Sequence, residues 1–183
     1  MITTALITLA DGSEELETVA VIDILRRAGV DLIVASDNNP VVCSRGTKII
    51  ADISISEIPL NKLFDIIILP GGMPGTSNLA ANEHLTNLIR SHYAHNKIIA
   101  AICAAPTILL NLNLLDKILP VCSHPSVASQ FKGYNYVEEK CAIQNNIITS
   151  RGAGTAVDFA LKITETLCGS EISTKIAKDI AWG

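Results

Sequence analysis

The chain has 183 residues, of which 49% are hydrophobic and 17% are charged, and its formal net charge is −4. This length suffices for one domain with a buried core, and the low charged fraction excludes an intrinsically disordered chain. The slight acidic excess argues against nucleic acid as a specific partner, because proteins that bind it usually carry a basic patch.

The longest uncharged stretch, residues 98–115, is about as long as a bilayer requires. Pro106 interrupts it and charged residues flank it closely, so we expect a strand followed by a buried helix and no membrane span. The first residues lack the basic segment of a signal peptide, and the five cysteines show no CxxC spacing. We therefore expect a cytoplasmic protein with reduced thiols.

Short apolar runs alternate with helical patterns along the chain. We predict buried strands at residues 5–9, 32–35, 66–69 and 98–102. We predict helices at residues 14–28, 83–96 and 154–167, and a further one after Ala104. A hairpin is predicted from residues 41–43 and 48–50, and further strands at 136–137, at 143 and at 147–149, with a turn at 145–146. This alternation predicts one α/β domain over residues 1–183, with a mostly parallel sheet and helices on both faces.

Cys103 lies between a predicted strand and a predicted helix, at the edge of the sheet where ligands bind. Small residues on both sides allow a sharp turn there, as in a nucleophile elbow. The N–H groups that begin the next helix would favour the thiolate. A packed, inert cysteine is the alternative, because cysteines are among the most buried residues.

Gly71 and Gly72 follow another predicted strand. Paired glycines can leave backbone N–H groups free for a ligand oxygen, so the N–H groups of Gly72 and Ala104 are a candidate oxyanion hole. An ordinary tight turn is the alternative.

Glu17 heads a row of residues, continued by Val21, Ile24 and Ala28, that lies on one face of the first predicted helix. A carboxyl group directed at an apolar interior has a raised pKa, and when protonated it could hydrogen-bond a thiolate or act as acid and base. A partly solvated acid at the end of a helix is the alternative. The neighbouring acids suit the helix dipole, and Ser13 is the expected helix cap.

His124 is the one histidine that we expect near the site. His84, His92 and His95 fall in the charged helix pattern and should be solvated, and no histidine adjoins Cys103. The sequence has neither the histidine and cysteine spacing of a zinc site nor a nucleotide-binding motif, so we expect no metal and no cofactor.

Seven stretches along the chain resemble the ThiJ/PfpI superfamily, and within it the branch of the Parkinson-associated protein deglycase and its bacterial YajL-like relatives. They are DGSEELET (11–18), RRAG (26–29), VCSR (42–45), LPGG (69–72), AAICA (100–104), HP (124–125) and TSRG (149–152). The resemblance runs nearly end to end and implies a flavodoxin-like three-layer α/β sandwich that forms a homodimer.

The resemblance also implies roles for the candidate residues. Cys103 matches the reactive, oxidation-prone cysteine of the family, Glu17 matches the acid that contacts it, and Gly72 and Ala104 match its backbone donors. His124 matches a nearby histidine that in this branch usually lacks triad geometry.

Two arginines match an anion site of the family near the cysteine. These are Arg27 and Arg45, and the resemblance implies that Arg45 comes from the partner subunit. Ala104 stands where protease-like members carry a histidine, which argues against peptidase activity. Cys122, Cys141 and Cys168 have no expected role beyond packing.

Two functions are compatible with these residues. The first is a cofactor-independent deglycase or glyoxalase, in which the Cys103 thiolate attacks small dicarbonyls or the methylglyoxal and glyoxal adducts of proteins and nucleotides. Glu17 would move the protons, and lactate or glycolate would leave. The alternative is a redox-sensing stress chaperone in which Cys103 is oxidised to a sulfinate. We favour the enzyme.

Overall fold

The structure is a computed structural model that describes residues 2–183. Its strands are β1 (Thr4–Thr8), β2 (Asp31–Ala35), β3 (Val41–Val42), β4 (Lys48–Ile49), β5 (Ile66–Leu69), β6 (Ile98–Ile102), β7 (Cys141–Gln144) and β8 (Ile147–Ser150). Its helices are α1 (Glu15–Arg27), α2 (Gly75–Ala81), α3 (Glu83–Ala94), α4 (Pro106–Asn111), α5 (Ala156–Cys168) and α6 (Ser170–Asp179). Segments of 3₁₀ helix lie at Ile55–Glu57, Pro125–Phe131 and Ala153–Thr155.

Six strands form one sheet in the order β2-β1-β5-β6-β8-β7. All neighbours are parallel except β7, which runs antiparallel to β8. β3 and β4 form a separate antiparallel hairpin. The predicted mostly parallel sheet and the predicted hairpin are therefore confirmed.

The sheet lies between two layers of helices. Ile7 of β1 belongs to the core that contains residues of α1, α5 and α6, whereas Leu6 belongs to the core that contains residues of α2, α3 and α4. Adjacent residues of a strand point to opposite faces, so both faces of the sheet are covered and its strands are apolar throughout. This is the flavodoxin-like three-layer arrangement that the resemblance implies.

Three elements differ from the sequence prediction. No pattern predicts α2, because its first four residues, Gly-Thr-Ser-Asn, have low helix propensity. None predicts α6 either, since Ile176 is its one buried residue. The strand predicted at residues 136–137 is wrong: Tyr136 forms only an isolated bridge with Val121.

His92 lies in the interior, so the prediction that it is solvated is wrong. Its Nε2 accepts the N–H of Phe64 at 2.9 Å, and its Nδ1–H donates to the carbonyl of Leu88 at 2.8 Å. Both ring nitrogens are thus hydrogen-bonded, so the neutral imidazole is buried without an unsatisfied polar atom. The opposite side of the same helix carries the charged residues.

Ser13 is not the cap of α1. Its hydroxyl accepts the N–H of Ala10, and the side chain of Glu14 caps the helix by accepting the N–H of Glu17 at 2.8 Å.

The connections from β1 to β2 and from β5 to β6 pass on opposite faces of the sheet, which opens a crevice at the carboxyl ends of β1 and β5. β6 is the next strand and ends directly before Cys103. Residues 98–115 form β6 and α4 with the turns around them, and no helix within residues 2–183 has the length and apolar character to cross a bilayer.

Candidate active site

Cys103 lies in the turn between β6 and α4 with a φ of +65°, a conformation that residues other than glycine rarely adopt. Its N–H donates to the carbonyl of Ser150 at 3.0 Å, and its own carbonyl accepts the N–H of His124 at 2.7 Å. These two bonds hold the strained turn and leave the side chain partly exposed at the edge of the sheet. The geometry is that of the predicted nucleophile elbow.

Two backbone N–H groups face the sulfur of Cys103, and they belong to Gly72 and Ala104. They are the pair that the sequence predicts as an oxyanion hole. The next helix, α4, begins only at Pro106 and has six residues. These two local donors therefore act on the sulfur more than a helix dipole does.

Glu17 lies in the first turn of α1 and is fully buried. Its Oε2 accepts the N–H of Gly71 at 2.8 Å, and its Oε1 is turned to Cys103 with no other hydrogen-bond partner among the described residues. Burial raises the pKa of Glu17 to about 7, because its effect is larger than that of the hydrogen bonds from Gly71 and Cys103, which lower the pKa. Because Oε2 already accepts a bond, the carboxyl proton belongs on Oε1, where it can be donated to the sulfur.

The thiol of Cys103 and the carboxyl of Glu17 are electrostatically coupled. Burial and, after it, the charge of an ionised Glu17 together raise the pKa of Cys103 to about 12, although the N–H groups of Gly72 and Ala104 act to lower it. The backbone N–H groups favour the thiolate, as predicted, but burial and Glu17 outweigh them, so the pKa of the Cys103 thiol lies above its ordinary value. Because the two groups are coupled, the first proton that leaves the pair leaves one negative charge shared between sulfur and carboxyl.

His124 lines the same pocket, but no hydrogen bond joins its side chain to Cys103 within residues 2–183. Its Nδ1 is instead in contact with Ser126. The structure thus brings together Glu17, Gly72, Cys103, Ala104 and His124 but forms no cysteine–histidine dyad.

Gly152 belongs to the stretch TSRG (149–152) that carries the family resemblance, but no role in the site is predicted for it from the sequence. A Cβ atom at this position would lie 3.2 Å from Cδ2 of His124, 3.7 Å from Sγ of Cys103 and 3.8 Å from Oε1 of Glu17. Its φ of +154° is also a conformation that favours glycine. A glycine two residues after the end of β8, at the ligand-binding edge of the sheet, is the signal that could have identified it.

The two predicted anion-binding arginines lie far apart. Arg45 lines the pocket of its own chain, contrary to the expectation that it comes from a partner, and its backbone N–H donates to the carboxylate of Glu15 at 3.0 Å. Arg27 is the last residue of α1, at the end opposite Glu17, and its side chain bonds that of Asp23 at 2.7 Å. Within one chain, Arg27 is therefore not part of the site.

The pocket has a volume of about 420 Å³, enough for a small molecule or for the modified end of a larger one. Its lining combines acids, a base and apolar groups, among them Glu14, Glu17, Arg45, Met73, Cys103 and His124. Within residues 2–183, no group of three or more histidine, cysteine, aspartate or glutamate side chains is placed to hold a metal ion.

The loops that follow β1 and β5 pack backbone against backbone. A Cβ at Gly72 would lie 2.4 Å from the carbonyl oxygen of Gly12, and one at Gly75 would lie 2.4 Å from the nitrogen of Ser13. The N–H of Glu14 also donates to the carbonyl of Gly71 at 3.0 Å. This contact, the glycine interlock, fixes the loop of the backbone donors against the start of α1, which carries Glu17.

The chain matches the model of the DJ-1/PfpI family over residues 3–166. It is 42% identical over 182 residues to Protein DJ-1alpha of Drosophila melanogaster, which covers 97% of this chain and 83% of that protein. It is 38% identical over 173 residues to the glutathione-independent glyoxalase DJR-1.2 of Caenorhabditis elegans, covering 93% of this chain and 91% of the relative. The crystal structure of Drosophila melanogaster DJ-1beta shares 38% identity, covers 100% of both chains and gives a TM-score of 0.94.

Proposed function

The chain belongs to the DJ-1/PfpI family, and from this membership and the site geometry we propose that it is a cysteine-dependent glyoxalase or deglycase. Its substrates would be methylglyoxal, glyoxal and their adducts, and its products lactate and glycolate. The observation that carries the proposal is the buried Glu17 with Oε1 turned to Cys103, because this pairs a nucleophile with a group that can move protons.

The chemistry needs no external oxidant or reductant. The thiolate of Cys103 adds to the aldehyde carbon of methylglyoxal, and Glu17 gives its proton to the aldehyde oxygen, which forms a hemithioacetal. The Glu17 carboxylate then moves the hydrogen of that carbon, as a proton, to the neighbouring carbon, and it moves the hydroxyl proton to the oxygen of that neighbouring carbon. The first carbon is thereby oxidised to a thioester and the second is reduced to an alcohol. Water hydrolyses the resulting thioester to lactate and frees the thiol.

The backbone N–H groups of Gly72 and Ala104 are placed to stabilise the negative charge that develops on the substrate during this reaction. An oxygen on the carbon bonded to Sγ carries negative charge when the thioester forms and when water attacks it. The N–H groups of Gly72 and Ala104 lie beside the sulfur and are held by the glycine interlock, so they can stabilise this oxygen without rearrangement. The relative from Caenorhabditis elegans is named a glutathione-independent glyoxalase, which supports the same reaction class.

Redox sensing is the second candidate, and the same contacts favour it. A peroxide could oxidise the partly exposed Cys103 to a sulfenate and then, with a second equivalent, to a sulfinate. The two N–H groups and the Glu17 proton would then bind the sulfinate oxygens. This reaction consumes the thiol, whereas the glyoxalase reaction regenerates it.

We also propose that the chain forms a homodimer through an apolar face of α1 and the β3–β4 hairpin. Four large apolar side chains are exposed there, Leu16, Val19, Val42 and Ile50. If Arg27 has the anion-binding role that the resemblance implies, it must act in the site of a second chain, because in its own chain it lies at the far end of α1.

The test of the enzyme is lactate formation from methylglyoxal and from its N-acetylcysteine adduct. We expect many lactates per thiol from the wild type, and a loss of at least about 10²-fold in Cys103→Ser and in Glu17→Gln, because they remove the nucleophile and the group that moves protons. Lactate is the correct readout, since loss of the adduct alone could reflect scavenging of free methylglyoxal. At most one lactate per thiol, with ready oxidation of Cys103, would favour the sensor instead.

A further inference from the structure

The side chain of His124 is held in place at the rim of the Cys103 pocket. The Ser126 backbone N–H donates to its Nδ1 at 3.2 Å, and the Ser126 Oγ lies 2.8 Å from the same nitrogen. The imidazole thereby caps the 3₁₀ segment Pro125–Phe131. Since the backbone N–H of His124 is also bound to the carbonyl of Cys103, the ring cannot turn to the sulfur without losing the contacts to Ser126.

These contacts determine which ring nitrogen carries the proton. A backbone N–H can only donate, so Nδ1 of His124 must be the unprotonated acceptor, and the Ser126 hydroxyl can donate to it as well. A neutral imidazole with an unprotonated Nδ1 carries its proton on Nε2. Neither nitrogen is then free to accept the proton of the Cys103 thiol.

The side of the ring that carries Cδ2, the neighbour of Nε2, is the one that faces the site. Cδ2 of His124, the carbon bonded to Nε2, lies 3.2 Å from the point that a Cβ of Gly152 would occupy. Sγ of Cys103 lies 3.7 Å and Oε1 of Glu17 lies 3.8 Å from the same point. Nδ1 is on the opposite edge and is bound to Ser126.

We propose that His124 is a hydrogen-bond donor to the substrate through Nε2–H, and that Ser126 is the positioning residue that holds this tautomer. The inference rests on the proposed function. In a vicinal dicarbonyl, one oxygen belongs to the carbon that Cys103 attacks and faces the N–H groups of Gly72 and Ala104. His124 binds the second oxygen, on the neighbouring carbon, and Glu17 alone exchanges protons with the substrate.

The tautomer can be measured without any substrate, by ¹⁵N NMR of the histidine side chains at pH 8.5. We expect the His124 resonances of an unprotonated Nδ1 and a protonated Nε2. In Ser126→Ala, which removes one of the two donors, we expect a larger fraction of the tautomer protonated on Nδ1. A wild-type His124 protonated on Nδ1 would overturn the inference.

Two amide variants test the donor role. Glutamine at position 124 places an N–H group where Nε2 lies, whereas asparagine places one where Nδ1 lies, and neither can act as a base. For lactate formation we expect kcat/KM to fall by less than about threefold in His124→Gln and by about tenfold in His124→Asn, the loss that one hydrogen bond gives. Equal losses of about 10² or more in both variants would identify His124 as a general base and contradict the proposal.

The rate of Cys103 alkylation by iodoacetamide separates this inference from the proposed function. We expect His124→Gln and wild type to react within about twofold of each other, because His124 does not deprotonate the thiol in this geometry. A tenfold slower reaction in the variant would overturn the inference even if lactate forms. A wild type that alkylates normally but turns over no dicarbonyl would instead overturn the proposed function.

Discussion

Glu17 combines a carboxyl group with a fully buried position, and the stability of the protein should therefore depend on its protonation. Burial raises its pKa from 4.5 to about 7. The unfolded chain thus loses this proton at lower pH than the folded chain does. The contribution of Glu17 is fully present below about pH 4.5 and is lost as the pH rises through about 7.

We predict that the free energy of unfolding of the wild type falls relative to that of Glu17→Gln between pH 4.5 and pH 8.5. The shift corresponds to roughly 3 kcal/mol, since one pKa unit is worth about 1.4 kcal/mol. Urea denaturation of both proteins at the two pH values measures it, and the variant is the control because glutamine does not titrate. Parallel pH profiles would show that Glu17 ionises in the folded protein as it does in the unfolded chain.

Gly152 lies beside the side chains of Glu17, Cys103 and His124, so a side chain at this position should disturb the site. We predict that Gly152→Ala loses about 1–3 kcal/mol of stability through its φ of +154° and loses most lactate turnover, because the new Cβ crowds Cδ2 of His124 at 3.2 Å. Gly154→Ala is the matched control, since a Cβ there meets no atom within 4 Å. Thermal denaturation and the lactate assay should distinguish the two variants. Equal stability and equal lactate turnover would contradict the argument that position 152 must lack a side chain.

The residues of the site differ in how far the sequence predicts them. The burial of Glu17 follows from the 3.6-residue spacing within one helix, and the elbow at Cys103 follows from small residues around a strand end. Gly152 acts through its distances to Glu17, Cys103 and His124, which lie in segments far apart in the chain, and spacing along the sequence does not encode such distances. Ser126 is only two residues from His124, but its contact with Nδ1 depends on the 3₁₀ segment that begins at Pro125, which no sequence pattern predicts.

At the scale of elements, the parallel strands were the most predictable part of the fold. β5 and β6 coincide with their predicted bounds, because a strand covered on both faces is an uninterrupted apolar run. The surface helix α6 leaves no comparable pattern, since Ile176 alone is buried. The burial of His92 was not predictable from α3, because its partner is a backbone group before β5.

His92 joins α3 to the segment before β5, and we predict that this connection weakens in acid. Burial lowers the pKa of His92, and the neighbouring Lys97 and His95 lower it further. The unfolded chain therefore takes up the proton first, and stability is lost as the pH falls below about 6.5. Urea denaturation at pH 7.5 and pH 5 should show a larger loss for the wild type than for His92→Gln. The exposed His95→Gln should behave as the wild type does, and a wild-type profile in His92→Gln would contradict the prediction.

At the scale of the whole molecule, the exposed apolar face of α1 and the β3–β4 hairpin should determine assembly. Val19 is 50% exposed on α1, and an acid there would place a charge in the proposed interface. We predict that Val19→Glu is a folded monomer and the wild type a dimer, measured by analytical ultracentrifugation. Ile118→Glu is the control, because Ile118 is 81% exposed and lies outside this face. A wild-type monomer, or a dimer that survives Val19→Glu, would contradict this interface.

The glycine interlock also divides the positions around the pocket into those that can and cannot be varied in directed evolution. Any side chain at Gly72 or Gly75 would collide with the backbone of residues 12–14, so libraries at these positions should yield mostly unfolded proteins. Met73 lies between them, lines the pocket and is 60% exposed. A programme to alter substrate preference should therefore diversify Met73 first, where changes in side-chain size reshape the pocket mouth and leave the reacting groups in place.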